Sequence, residues 1–236
     1  MRKSITHHKF AIAALLILGA ANFDAQSAPA ATAAPAPTTP GYVTLASPQP
    51  TASGNKVEVI EVFSYGCIHC AQFQQYVDSW SKHVDKSTVQ FTYLPAPFNP
   101  FFRLMARGYY AADSMGVAAT THQQVFDALF VKNKQVNSAE TLADLYASLG
   151  VNRDTFMKTA QSVIVESQLR HADDLIRAYE IDGTPTVIVA GKYRVTGETA
   201  GGHDKVFAVV DALIAKERKS IKPAMKPVVK PAAKPQ

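Results

Sequence analysis

The 236-residue sequence predicts an α/β protein in which a mixed sheet is interrupted by an all-helical block. Three observations carry that reading. An apolar run, Lys56 to Phe63, passes directly into a segment with apolar residues at helical spacing. A second strand pattern is followed by a long stretch of helical periodicity, and strand character then returns as a short hairpin before one last helix.

The first element is a short edge strand at Tyr42 to Leu45. The run from Lys56 to Phe63 holds Val57, Val59, Ile60, Val62 and Phe63, as a strand covered on both faces would. A helix from about Cys67 to His83 follows, with Phe73, Tyr76, Val77, Trp80 and Val84 on one stripe, so that one face packs on a core. Val89 to Leu94 is the second main strand, stopped by Pro95.

The helical block starts at Asn99-Pro100, an N-cap followed by a first-turn proline, and its first helix runs to about Ala112. A second helix spans about Thr121 to Val131. Ser138 caps a third that ends at Gly150, and Asn152 caps a fourth running to about Tyr179. The block is expected to bury its own small core, including the aromatic group Phe98, Phe101, Phe102, Tyr109 and Tyr110. Thr186 to Val189 and Tyr193 to Val195 then form a hairpin around Ala190-Gly191-Lys192, and a helix from about Gly202 to Lys216 closes the body. This order, β-α-β, helices, β-β-α, is that of a thioredoxin fold with an inserted all-helical domain. Its first part spans residues 42–97, the insertion 98–182 and its second part 183–218.

The ends of the chain have a different composition. Arg2, Lys3 and Lys9 precede an apolar stretch from Phe10 to Ala21, which has the length of a secretory h-region and is too short to cross a bilayer. Residues 1–27 therefore read as a signal peptide, with cleavage expected between residues 21 and 30. Residues 28–41 are an Ala/Pro-rich linker. In the segment 219–236, Lys-Pro pairs recur at Lys222, Lys226, Lys230 and Lys234, a density of proline that favours extended chain. The formal net charge of +5 belongs to these ends: between residues 28 and 218 there are 16 basic and 18 acidic residues. A near-neutral body gives no support to nucleic-acid binding. The lysine-rich tail is read chiefly as a solubilising segment, with weak contact to an anionic surface as its alternative.

The two cysteines of the chain, Cys67 and Cys70, sit three apart where the apolar run ends and the helix begins. Such a pair can close a small disulfide, and the unpaired N–H groups of a helix start favour a thiolate at the first position. Cys67 is thus the expected nucleophile and Cys70 the resolving thiol. A purely structural bridge over so short a loop would be a poor staple. A metal site could take Cys67, His69 and Cys70 but lacks an evident fourth ligand. His69, two residues from the nucleophile, can stabilise its thiolate. His83, His122, His171 and His203 have no ligand spacing and read as solvent-facing.

Two segments carry a resemblance: Glu61-Val62-Phe63-Ser64-Tyr65-Gly66-Cys67-Ile68-His69-Cys70, and Gly183-Thr184-Pro185-Thr186-Val187-Ile188-Val189-Ala190-Gly191-Lys192-Tyr193. With the element order over residues 42–218, they make the chain similar to the DsbA-type periplasmic thiol–disulfide oxidoreductases. The resemblance implies an exposed nucleophile at Cys67 and a buried partner at Cys70, tuned by Ile68-His69. Many family members carry proline at the position of Ile68. It also implies a substrate-docking cis-proline loop at Thr184-Pro185 and a buried acid at Glu61 that relays protons to Cys70. The lysine that some members place beside that acid is not evident, since Tyr93-Leu94-Pro95 occupies the region.

The implied protein is a periplasmic monomer that introduces disulfides into reduced exported proteins. It needs no cofactor beyond its own Cys67–Cys70 disulfide and is reoxidised by a DsbB-type membrane oxidase. The alternatives are a reductase or isomerase of the same fold, and a copper-binding module using the cysteines and His69.

Overall fold

The computed structural model describes residues 41–220. The expected signal peptide (residues 1–27), residues 28–40 of the expected linker and residues 221–236 of the Lys-Pro segment lie outside the described residues. Five strands, β1 (Val43–Thr44), β2 (Val57–Phe63), β3 (Val89–Pro95), β4 (Thr186–Val189) and β5 (Tyr193–Val195), form one sheet in the order β1-β5-β4-β2-β3. At its centre β2 pairs parallel with β3 and antiparallel with β4. The sheet is thus mixed, as the β-β hairpin required.

Every residue of β2 is buried, which is why its sequence is a near-continuous apolar run. Alternation along the strand sends Val57, Val59, Glu61 and Phe63 to one side and Glu58, Ile60 and Val62 to the other. On the first side lie α1 (Ile68–Ser81) and the last helix, α8 (Val206–Ser220). Phe73, Val77 and Trp80 of α1 meet Phe207, Val210 and Leu213 of α8 over Val57, Val59, Val187 and Val189. On the second side Ile60, Val62 and Ile188 pack against Ala172, Tyr179 and Ile181.

Between β3 and β4 come α2 (Pro100–Ser114), α3 (Ala118–Phe130), α4 (Ala139–Ser148), α5 (Arg153–Ala160) and α6 (Val163–Ala178). Asn99, Ser138 and Asn152 cap three of them through their side-chain oxygens. Where one helix was expected from Asn152 to Tyr179 there are two: Ser162 accepts the N–H of Val165 and starts α6 afresh. The core of the block is also less self-contained than expected. Met105, Phe126, Leu142, Tyr146 and Phe156 belong to one cluster with Phe63, Tyr65 and Cys70, so the helical core runs to the cysteine pair. The aromatic group divides: Tyr109 is buried, whereas Phe98 and Phe101 are 41% and 39% exposed.

After β5 a short helix, α7 (Gly197–Ala200), and a 3₁₀ turn at His203–Lys205 precede α8. Both lie outside the strict periodicity of the sequence, being held by local bonds such as the Thr196–Thr199 capping box. α8 continues through Ser220, so Lys219 and Ser220 are helical and not part of a tail.

Candidate active site

Cys67 is the N-cap of α1. Its backbone is extended, with φ −103° and ψ 114°, and its carbonyl accepts the N–H groups of Cys70 and Ala71 at 3.1 and 3.2 Å. The chain reaches it through a turn in which Cys67 N–H donates to the Ser64 carbonyl at 3.0 Å. Gly66 leaves room in that turn for the rings of Phe101 and Phe102, which pack on it from α2: a Cβ there would lie 2.7 Å from ring atoms of both. Cys67 is half-buried and Cys70 wholly buried.

The two sulfurs occupy opposite electrostatic situations. The Cys67 thiol is pulled down to about 5, first by the hydrogen bond that the Cys70 thiol gives it, and further by the Thr184 hydroxyl and the main-chain N–H groups of Cys70 and His69; burial opposes these. Cys70 is pushed far above the ordinary thiol range, mainly by burial and then by Cys67 itself. The pair therefore sorts into one thiolate and one thiol at neutral pH.

Facing Cys67 across the active site is Thr184, joined to Pro185 by a cis peptide bond. The Cys67 thiol donates to the Thr184 carbonyl at 3.4 Å. The imidazole of His69 is exposed and lines a groove of about 320 Å³ with Thr184, Pro185, Thr196, Glu198 and His203. Its side chain thus faces the groove, while its support for the thiolate comes from the main-chain N–H. His203 is a correction to the expectation of a solvent-facing residue. It is half-buried, its ring 6.4 Å from that of His69 and 5.5 Å from that of Phe73, and a Cβ on Gly197 would lie 2.1 Å from its Cδ2.

Glu61 lies inside β2 and is 1% exposed. Burial, with the charge of Asp78 adding to it, holds its carboxyl well above the usual range and so favours its protonated form. The place opposite it on β3, where a lysine was sought, is taken by Tyr93.

His122 is the second correction among the histidines. It is 6% exposed, and its Nδ1 lies 2.9 Å from the Tyr65 hydroxyl, its Nε2 3.1 Å from Gln74 Oε1. Gln74 Nε2 in turn donates to Asp78 at 2.8 Å and to the Tyr93 hydroxyl at 3.0 Å. Tyr65, Gln74, Tyr93 and His122 went unremarked as site residues in the sequence. Their one signal there is the spacing Cys70, Gln74, Asp78, which puts the buried Gln74 and the exposed Asp78 on the same line of α1 as Cys70. Among the described residues, no group of three His, Cys, Asp or Glu side chains is arranged to hold a metal ion, and no helix is long and apolar enough to cross a membrane.

A thiol pair so arranged can exchange disulfides, and known proteins place it in a family. Residues 58–213 match the model of the DSBA-like thioredoxin domain. The chain belongs to the DsbA family. It is 36% identical over 181 residues to the thiol:disulfide interchange protein DsbA of Pseudomonas aeruginosa, covering 77% of this chain and 85% of that one. It is 39% identical over 183 residues to the DsbA of Pseudomonas syringae pv. tomato, covering 78% and 85%. The crystal structure of Pseudomonas aeruginosa DsbA superposes with a TM-score of 0.73 over 76% of this chain and 93% of that one. The DsbA of Xylella fastidiosa, 34% identical, superposes at 0.71 over 76% and 96%. As a DsbA homologue with a Cys67–Cys70 pair, the protein is a thiol–disulfide oxidoreductase with a thioredoxin fold and an inserted helical subdomain.

Proposed function

We propose that the protein oxidises newly exported proteins in the periplasm, with Cys67 as the exchanging sulfur and Cys70 as its partner. The observation that carries this is the division of the pair into a thiolate at Cys67 and a buried, protonated Cys70. A substrate thiolate attacks Cys67 Sγ; the Cys67–Cys70 bond breaks, and Cys70 leaves with the electron pair and takes the proton of Glu61. A second substrate thiol, losing its proton to solvent, attacks the substrate sulfur of the mixed disulfide. Cys67 then leaves as a thiolate that needs no proton at neutral pH. The substrate gains a disulfide and the enzyme is left reduced.

A thiolate at about 5 favours the reduced enzyme at pH 7 by about two pH units, or about 2.7 kcal/mol, which corresponds to about 60 mV of oxidising power. Thr184-Pro185 docks the substrate chain beside Cys67, with His69 in the groove wall. Family membership supports a periplasmic place of work and dealings with protein substrates. A DsbB-type membrane oxidase is the proposed electron acceptor that restores the disulfide.

The equilibrium reduction potential in glutathione buffers at pH 7, read by alkylation of free thiols, tests the direction. A value near or above about −150 mV marks a disulfide donor; one near or below about −250 mV marks a reductase and overturns the proposal.

A further inference from the structure

The buried polar network beside Glu61 has its hydrogens fixed by its own geometry. Both N–H bonds of Gln74 are committed, to Asp78 and to Tyr93, so its Oε1 is the acceptor facing His122. His122 must then carry its proton on Nε2, and its Nδ1 must accept from the Tyr65 hydroxyl. Every hydrogen in the chain is spoken for except one, the hydroxyl hydrogen of Tyr93. That hydroxyl accepts from Gln74, which orients it, and it has no acceptor among its hydrogen bonds.

One buried acceptor on the same face of the sheet lacks a donor. Glu61 Oε2 is buried and has no hydrogen-bond partner, and Glu61 is the register partner of Tyr93 across β2 and β3. Both side chains point toward α1, where Cys70, Gln74 and Asp78 share one line of the helix. A free donor and a free acceptor therefore sit on neighbouring strands beneath the resolving cysteine.

We infer that Tyr93, oriented by Gln74, is a positioning residue that donates its hydroxyl hydrogen to the Glu61 carboxylate whenever Glu61 has given its proton to Cys70. The inference rests on the reading of Glu61 as the proton partner of Cys70. It gives the two residues the complementary roles that a buried carboxylate needs, since an ionised carboxylate without a donor is costly in such a site. The titratable groups around Glu61 are Cys70 and Asp78 on α1, Tyr93 on β3, and His122 on α3 behind Tyr93; β4 contributes the apolar Val187.

The test follows one Cys70-dependent step. Reduced enzyme is mixed with oxidised glutathione; the Cys67 thiolate takes one glutathione sulfur and releases the other as a thiolate. Cys70 then displaces the bound glutathione as its thiolate, forming the Cys67–Cys70 disulfide, and its proton goes to Glu61. Decay of the glutathionylated enzyme is followed by mass spectrometry against pH, with alkylation of Cys67 as the control. The decay rate rises with pH as Glu61 ionises. Tyr93→Phe should move the midpoint of that rise up by about one pH unit, slowing decay about tenfold below it. The Cys67 alkylation profile should stay in place, and Tyr93→Phe should add nothing to Glu61→Gln.

A Glu61→Gln profile identical to that of the unaltered enzyme would overturn the proton role of Glu61. A changed Glu61→Gln profile with an unmoved Tyr93→Phe profile, or with additive effects, would overturn the role of Tyr93 alone. Should Tyr93→Phe fail to fold, replacing Tyr93 by 3-fluorotyrosine, a stronger donor, decides: the midpoint should fall, and an unmoved midpoint overturns the inference.

Discussion

Cys67 Sγ lies 3.4 Å from the carbonyl oxygen of Thr184, so the proposed nucleophile and the loop proposed to dock substrate share a hydrogen bond. The thiol can make this bond and the thiolate cannot, because the thiolate has no hydrogen to give. Ionisation therefore frees the Thr184 carbonyl to accept from another chain at the moment Cys67 becomes reactive. The same residue helps the thiolate through its hydroxyl, though less than Cys70 does.

Cys67 should accordingly react with iodoacetamide along a titration centred near pH 5. Cys70→Ala removes the largest support and should move the midpoint up by more than one pH unit. Thr184→Val removes a smaller one and should move it less. A midpoint for the unaltered protein near the ordinary thiol value would refute the assignment of Cys67 as the thiolate.

Glu61 and His122 should pull acid stability in opposite directions. Glu61 has a raised pKa in the fold, so its cost starts as pH rises above the ordinary carboxyl value and is absent below it. Glu61→Gln should therefore raise the urea midpoint at pH 7, with the gain vanishing below about pH 4. Burial pushes His122 down to about 4, so stability falls as pH drops from about 6.5, by up to about 3 kcal/mol. His122→Gln, which can still accept from Tyr65 and donate to Gln74, should flatten that fall. Chemical denaturation of both variants between pH 4 and 7.5 separates the two effects.

Elements built on local pattern were legible in the sequence, and groups defined by distant partners were not. The burial of β2, the stripe of α1, the hairpin at Gly191 and the caps at Asn99, Ser138 and Asn152 follow from alternation, helical spacing and turn chemistry. The Cys67–Cys70 pair could be read as a redox pair because strand, cysteines and helix start adjoin. His122 read as solvent-facing because its partners Tyr65 and Gln74 are 57 and 48 residues away, and one polar residue on a helix says nothing of what covers it. The restart of α6 at Ser162 was hidden because no proline or glycine marks it; the buried line runs through Phe156 and Ala160 before the break and through Val165, Leu169 and Ala172 after it, on a different phase, and Val163 at the break is 82% exposed. His203 reached the groove only through a 3₁₀ turn that no periodicity marks.

Gly66→Ala should weaken both fold and activity. The added methyl would meet the rings of Phe101 and Phe102 at 2.7 Å, and Phe101, partly exposed, can swing away more readily than Phe102. A loss of about 1–3 kcal/mol in stability is expected from overpacking. Thiol oxidation should slow as well, because the turn at Gly66 sets the position of Cys67. Pairing the change with Phe102→Ala should recover part of both losses, as read by thermal unfolding and by the rate of oxidation of a dithiol peptide.

The redox state should control stability, with a pH dependence that the two cysteines dictate. In the reduced protein Cys67 is ionised above about pH 5, whereas in the unfolded chain it keeps its proton until about pH 8.5. Between those limits the unfolded state binds more protons, so the stability of the reduced form rises by about 1.4 kcal/mol per pH unit. Above about pH 8.5 the sign reverses, because Cys70 stays protonated in the fold while its unfolded counterpart ionises. The oxidised form has neither thiol and shares neither slope. Urea unfolding of both forms from pH 4.5 to 9.5 should thus show the reduced form gaining on the oxidised one to a maximum near pH 8.5, then falling back. A difference that does not change between pH 5 and 8 would mean that Cys67 carries no stabilised thiolate, and with it the argument for a disulfide donor would lose its energetic basis.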